Sequence, residues 1–273
     1  MTRAILDNSI LDPIMPKFAA NVSFLFTEID FLKRFEAARK AGFRAVEFHF
    51  PYPYEHAALE AAVKQAGVEI VLFNLPPGNW EKGERGIACH PDRAAEFREG
   101  VAKAIDWART LKCPRVNCLA GIAPRDAEPS EVHATFVANL RFAAKALGDA
   151  GVTLVMEPVN PRTVPGFYLN TTKQALDIIR EVGSDNLKIQ YDIFHMQIVE
   201  GDLAKTIEAN LASIGHIQFA DVPDRHEPGT GEVNFDFLFG WIDRVGYQGW
   251  ISAEYVPAKG TVESLGWLKR HLK

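Results

Sequence analysis

The sequence predicts a single (β/α)8 TIM barrel of the α/β class, and three observations carry that prediction. Short β-branched and aromatic runs recur eight times from Lys17 onward. Amphipathic patterns of helical period separate them, as at Phe97, Val101, Ala104 and Ala108. Gly42, Gly67, Gly151, Gly183 and Gly215 each stand between such a pattern and the next run, where a left-handed residue commonly ends a helix. The 273 residues also suit one barrel of this kind, typically about 250 residues long. A doubly wound open sheet is the competing architecture, but no GxGxxG follows the first run and eight repeats exceed its usual count.

Taken in order, the strand-like runs are KFAANV (17–22), RAVEFHF (44–50), VEIVLFNL (68–75), RVNCLAG (115–121), VTLVMEP (152–158), LKIQYD (187–192), HIQFAD (216–221) and WISAEY (250–255). Several are apolar throughout, as strands of a parallel sheet covered on both faces must be. Phe31, Phe35 and Ala38 mark the first helix, and Val132, Phe136, Leu140 and Leu147 mark the fourth. Ser130, Thr171 and Asp202 stand at helix starts as N-cap candidates. Residues 1–14 carry neither a signal-peptide pattern nor a period and are expected to be a poorly ordered extension. The catalytic barrel is then 15–273, with Met15 as an alternative start.

Composition narrows the function. Thirty Lys and Arg against 35 Asp and Glu leave a net charge of −5, so nucleic acid is not an expected partner. No run reaches the roughly 18 apolar residues that a membrane span needs. Cys89, Cys113 and Cys118 are odd in number and form no CxxC, the usage of a reduced, cytoplasmic protein. There is no GxSxG elbow and no P-loop. A three-metal nuclease would need several more His ligands and a basic face.

The strand ends hold the chemistry, because barrel enzymes carry their sites at the C-terminal ends of their strands. Glu157, Asp192, Gln218 and Glu254 end strands five to eight, each roughly one strand–helix repeat beyond the last. Three converging carboxylates would repel each other, and a divalent cation resolves that repulsion. An all-oxygen set favours Mg2+ or Mn2+ over Zn2+. His195 follows Asp192 by three residues, so the loop after the strand can aim it at a ligand. Glu47, His49, Asn74 and Asn117 end strands two to four and are expected to line a substrate pocket. Asn160 and Arg162 follow Glu157 on the same rim. The long connection after strand seven (220–235) offers Arg225, a candidate to hold a substrate carboxylate in bidentate fashion.

The chain resembles the hydroxypyruvate isomerase family, a branch of the xylose-isomerase-like barrels. The resemblance rests on MPKFAANVSFLFTE (15–28), KAGFRAVEFHFPYPY (40–54), LFNLPPGNW (72–80), MEPVNPRTVPGFYL (156–169), QYDIFHMQIVEGDL (190–203), HIQFADVPDRHEPGTGEVNF (216–235) and GYQGWISAEYVP (246–257). It implies isomerisation of hydroxypyruvate to tartronate semialdehyde, or of a similar 2-oxo-tetronate. It implies that Glu157 and Glu254 are the catalytic glutamates, and that they join Asp192 and Gln218 as metal ligands. It places His195 and Arg225 where related sugar isomerases and epimerases contact substrate. Asn117 departs from the family pattern where His is expected, and Val256 stands where Lys is common. The EPVNPR segment looks more like the 2-oxo-tetronate branch.

The chemistry of such a reaction needs a proton removed from a carbon beside a carbonyl and returned to its neighbour. A divalent cation acting as a Lewis acid would stabilise the enediolate, while two glutamates on opposite sides serve as base and acid. A ketose 3-epimerase would use the same site but typically carries His at the position of Gln218. A dehydratase acting on a polyol-derived ketone is a further alternative, separated by its loss of water. From another class, the chain could be a catalytically silent ligand-binding barrel. The expected partner is a small hydroxy-oxo acid, and barrels of this type often form a homo-oligomer.

Overall fold

The computed structural model describes residues 16–271. The expected extension, residues 1–14, lies outside them. Eight parallel strands close into a barrel in sequence order: β1 (Lys17–Asn21), β2 (Ala45–Glu47), β3 (Glu69–Asn74), β4 (Arg115–Cys118), β5 (Thr153–Met156), β6 (Leu187–Asp192), β7 (Ile214–Phe219) and β8 (Trp250–Ala253). Closure is made by β8 against β1, with Lys17 opposite Trp250 and Ala20 opposite Ala253. The helices α1 (Phe31–Lys40), α2 (His56–Ala66), α3 (Ala94–Leu111), α4 (Pro129–Asp149), α5 (Thr172–Val182), α6 (Ile193–Val199), α7 (Leu203–Asn210), α8 (Phe235–Arg244), α9 (Thr261–Ser264) and α10 (Gly266–His271) follow the strands. None of the described helices is long and apolar enough to cross a membrane.

The sequence places these elements by period. Alternate strand residues face opposite sides. Phe18, Ala20, Val46, Ile217, Phe219, Ile251 and Ala253 belong to the large core between sheet and helices. Their neighbours form a small layer of their own, in which Ala19, Ala45 and Val71 are packed with Trp250. Asn21 and Glu47 follow Ala19 and Ala45 by two residues, so the same strand faces turn polar toward the C-terminal rim. The seam between first and last strands is sealed by aromatics. The Phe18 ring meets Phe239 at 4.9 Å and Trp267 at 5.1 Å, edge to face in both cases. This ties α8 and α10 to β1.

Helix ends follow the expected chemistry in part. Thr171 caps α5, its hydroxyl accepting from the Gln174 amide at 3.0 Å. Gly67 and Gly183 end α2 and α5 in the left-handed conformation. Three local expectations fail. Ser130 lies inside α4, which starts at Pro129. Asp202 occupies the N-cap of α7 but makes no capping bond, because its own backbone is left-handed (φ 43°). Gly215 ends no helix: it lies within β7, where a Cβ would come within 2.8 Å of Lys188 Cβ and 2.9 Å of Val155 Cγ1. Packing against side chains of β6 and β5, not backbone conformation, requires glycine there.

Candidate active site

The polar strand faces meet at the C-terminal end as a continuous buried network. Glu47 joins three strands in it. Its Oε2 accepts from His216 Nε2 at 2.6 Å, and its Oε1 accepts from Asn21 Nδ2 at 2.9 Å and Gln218 Nε2 at 2.6 Å. Ser252 adds a 3.1 Å contact to the same His216 nitrogen. Complete burial opposes ionisation of Glu47, but the adjacent His216 imidazole outweighs it and holds the carboxyl below its ordinary value. Glu47 was expected to line the substrate pocket. With both oxygens bound to protein donors and no exposed surface, it braces the rim instead.

Asn21 and Gln218 pass this bracing upward to Glu254. Asn21 Nδ2 lies 2.8 Å from Glu254 Oε1, and Gln218 Nε2 lies 3.1 Å from it. His49 Nε2 approaches the same oxygen at 3.5 Å. The Gln218 carbonyl points away, accepting from Gln190 Nε2 at 2.6 Å. The amide nitrogen of Gln218 thus faces the Glu47 and Glu254 carboxylates and donates to both. Asn21 and Gln190 were not foreseen as site residues, though Gln190 shares its strand face with Asp192.

Asp192 divides its two oxygens. Oδ1 caps α6 by accepting from the Phe194 amide at 2.8 Å, while the buried Oδ2 has no hydrogen-bond partner. His195 Nε2 lies 3.5 Å from that Oδ2 and 3.7 Å from Glu157 Oε1. The other ring nitrogen of His195 receives the Asn160 amide N–H at 3.3 Å and Asn160 Nδ2 at 2.7 Å. Asn160 Oδ1 is occupied by the Thr163 amide at 2.7 Å, which fixes the orientation of its side chain. Nδ1 of His195 is therefore an acceptor, and the ring proton sits on Nε2, facing Glu157 and Asp192. Burial, with Arg225 nearby, keeps this imidazole neutral by pushing its pKa well below the ordinary value. Arg162, by contrast, is exposed on the surface.

Charge is concentrated on three acids. Burial, reinforced by Glu254 and Asp192, raises the Glu157 carboxyl well above its ordinary range. Burial lifts Asp192 to about 7 despite the opposing pull of Arg225. Asn117 Nδ2 contacts Glu157 Oε2 at 3.3 Å and Asn74 Oδ1 at 3.1 Å, so the departure from His at this position keeps a donor beside the glutamate. Glu157, Asp192 and His195 each bring a ligand-capable atom within 4.8 Å of one another.

Arg225 was expected to receive a substrate carboxylate, and the structure turns it onto protein carboxylates. Its Nη2 donates to Glu254 Oε2 and lies 3.5 Å from Asp192 Oδ2, with Phe24 and Phe194 against the guanidinium at 4.9 and 5.0 Å. Its placement depends on Asp221, which sequence reasoning passed over. That buried carboxylate accepts from the backbone amides of Val222, Gly229, Thr230, Gly231 and Val233 and so organises the whole segment between β7 and α8. Gly231 lies so close that a Cβ would meet Val222 O at 1.9 Å. Arg225 itself adopts a left-handed backbone (φ 61°).

Glu157, Glu254, His195, Arg225 and Asn74 line one cavity of about 220 Å3 at this end of the barrel. Phe24, Trp80, Val164 and Phe167 supply its apolar wall. Gln218, Asp192, Asn117 and Glu47 stand behind those side chains as partners.

Comparison with known proteins agrees with this architecture. Residues 35–271 match the family model described as Xylose isomerase-like TIM barrel. The hydroxypyruvate isomerase of Escherichia coli K12 is 50% identical over 254 residues, covering 93% of this chain and 98% of that one. The 2-oxo-tetronate isomerase of Cupriavidus necator is 48% identical over 258 residues, covering 94% and 99%. The chain belongs to the hydroxypyruvate isomerase family. Within the wider set of xylose isomerase-like barrels, a solved Brucella melitensis protein described as an AP endonuclease, family 2, superposes with a TM-score of 0.92. It is 40% identical, over 95% of this chain and all of that one. As in the reading from sequence, Cys89, Cys113 and Cys118 are free thiols. All three are buried, which raises their pKa values and leaves them as packing residues of this family member.

Proposed function

We propose that the chain is a metal-dependent isomerase interconverting hydroxypyruvate and tartronate semialdehyde, or a four-carbon 2-oxo-tetronate and its isomer. The observation that carries this reading is the convergence of Glu157 and Glu254 on one cavity, flanking the unpartnered Oδ2 of Asp192. Relatives about half identical over nearly the whole chain bear those two activities in their names, which supports the substrate class.

The donor set fits a hard divalent cation such as Mg2+ or Mn2+. Asp192 keeps a buried oxygen unpaired, and burial together with mutual repulsion raises two of the three acids. Glu157, Asp192 and Glu254 would hold the ion, and Gln218 would complete the set through Oε1 once its amide turns over. His195 donates through Nε2 and is a substrate-facing group rather than a ligand. When bound, the cation would supply Lewis-acid stabilisation of negative charge developing on the substrate oxygens.

The residues divide the proton work. Isomerisation breaks a C3–H bond of hydroxypyruvate and forms a C2–H bond, while the hydroxyl proton passes from O3 to O2. Glu254, whose oxygens meet donors from Asn21, Gln218 and Arg225, is set as the base for C3. Glu157, with its raised pKa, is the acid that returns a proton to C2. His195 Nε2–H steadies the oxygens between them, and the Phe24, Val164 and Phe167 walls keep water from competing for the reactive carbon.

The deciding experiment follows products and deuterium uptake by NMR, using protein supplied with Mg2+ or Mn2+ and a panel of hydroxypyruvate, four-carbon 2-oxo acids and neutral ketoses. Hydroxypyruvate or the tetronates should be converted without change of mass. Turnover of ketoses alone would move the chain to the epimerases, and loss of water would make it a dehydratase. No turnover of any panel member would leave the silent-barrel reading standing.

A further inference from the structure

We propose that Arg85 is the residue that selects a carboxylate-bearing substrate, an assignment that rests on the isomerase reading above and gives its substrate class a receptor. An anionic substrate must enter a cavity whose reacting end holds Glu157 and Glu254, with Asp192 behind them. It therefore needs a fixed positive group elsewhere on the wall. Arg225 does not fill that need, since its guanidinium is committed to Glu254 and Asp192.

Arg85 lines the same cavity and is half-buried. Its guanidinium carbon lies 3.9 Å above the Trp80 ring. Nη1 donates to the carbonyl oxygens of Trp80 at 3.1 Å and Glu84 at 2.8 Å. Among the described residues no carboxylate pairs with it. The neighbouring Glu84 is taken by Arg93 Nη1 at 2.9 Å and by the Asn79 amide. One nitrogen thus anchors the fork, the ring supports its face, and Nε and Nη2 remain to meet a carboxylate in the parallel, two-point geometry that guanidinium favours.

The segment carrying Arg85 is built for fixity. The Gly86 amide donates to Pro77 O at 2.9 Å, and Gly86 has φ 105°. A Cβ on Gly86 would strike Leu119 O at 2.2 Å, so glycine lets this stretch lie directly on the residue after β4. Leu119 is itself part of the cavity wall. From Arg85 the wall continues through Trp80 to His49, with ring centroids 5.7 Å apart, and His49 Nε2 reaches Glu254 Oε1 at 3.5 Å. Arg85 shares its cavity with Glu157 and Glu254, so a 2-oxo acid whose carboxylate meets the guanidinium occupies the space that the two glutamates line. A neutral ketose of the same length leaves the guanidinium unpaired and gains nothing from it.

The test pairs Arg85→Gln and Arg85→Lys with the intact protein and reads two quantities. For hydroxypyruvate, Arg85→Gln should raise KM by about 10- to 100-fold while kcat changes by less than about threefold, the scale of one charge-assisted hydrogen-bonded pair. Arg85→Lys should recover part of the loss in KM. Glycerate, an inert hydroxy acid, should bind the intact protein in a calorimetric titration and lose affinity by a similar factor in Arg85→Gln. A fall confined to kcat, or glycerate binding unchanged by the substitution, would overturn the assignment. Because the titration needs no turnover, it decides Arg85 even if no 2-oxo acid is isomerised, an outcome that would sink the isomerase reading alone.

Discussion

The two halves of the barrel rim are built from different chemistry. Glu157, Asp192, Gln218 and Glu254 stand at or next to the C-terminal ends of β5 to β8, three of them acids with little or no exposure. Strands β1 to β4 end in Asn21, Glu47, Asn74 and Asn117, and the one acid among these is paired with His216. One half therefore carries charge that burial makes costly, and the other supplies neutral donors and a paired anion that hold it in place. The difference teaches where reactivity is stored. Carboxylates crowded together on the cavity can exchange protons or meet a cation, whereas Glu47, paired with His216 and without exposed surface, supports them from behind.

The division can be broken by substitution, and the largest effect should fall on the acidic half. Glu157→Gln or Glu254→Gln should lower turnover by about 10^2- to 10^4-fold with the melting temperature nearly unchanged, as steady-state kinetics and calorimetry would show. Near-normal activity in either would refute the two-glutamate division of labour. Next comes the brace. His216→Leu strands Glu47 as an unpaired buried charge and should cost about 3–5 kcal/mol in denaturant unfolding. Adding Glu47→Gln to that variant should restore part of the loss, and failure to do so would mean that packing, not charge, sets the cost. A smaller effect is expected of Asn117→Ala, which removes one donor from Glu157. A fall in kcat of about tenfold would keep the halves distinct, and a fall as deep as that of Glu157→Gln would erase the distinction.

The smallest effect is a dependence of stability on pH. Asp192, raised to about 7, and Glu157, raised well above its ordinary value by burial and the neighbouring acids, disfavour the folded state as they ionise. Their contribution is lost as pH rises from about 4 through neutrality. Glu47 has the opposite sign: its folded value is depressed, so its stabilisation is present above 4.5 and lost as pH falls. The cation-free protein should therefore melt a few degrees lower at pH 8 than at pH 5.5. Mg2+ or Mn2+ should raise the melting temperature more at pH 8, where the acids are ionised. A cation shift equal at both values would separate the raised acids from the ion site.

Much of the fold can be read from sequence because its signals are local. Apolar runs at a repeat spacing, helical stripes and junction glycines all act within a few residues, and seven of the eight expected runs overlap the final strands closely, with β7 starting two residues early at Ile214. The acids at the ends of β5, β6 and β8 were readable for the same reason, since the barrel assigns strand ends to one rim. What stayed hidden depends on contacts distant in sequence. Gly215 is demanded by side chains of β6 and β5, which no helix-end rule reveals. Arg225 was correctly placed on a long loop, yet its choice of Glu254 as partner follows from the turn that Asp221 winds, with amides gathered from five residues. Arg85 lies in a segment whose course is set by contact with Leu119.

Asp192 serves two structures with one carboxyl group, starting α6 through Oδ1 and facing the cavity through Oδ2. That double duty limits how the position can change over evolutionary time. Asparagine would keep the helix start but give up the anion. Glutamate would keep the anion but carry it one methylene farther from the Phe194 amide. Drift at this site must therefore alter either the turn that presents His195 or the charge beside it. A lineage changing its reaction would find it easier to vary the loops around the rim than this single aspartate.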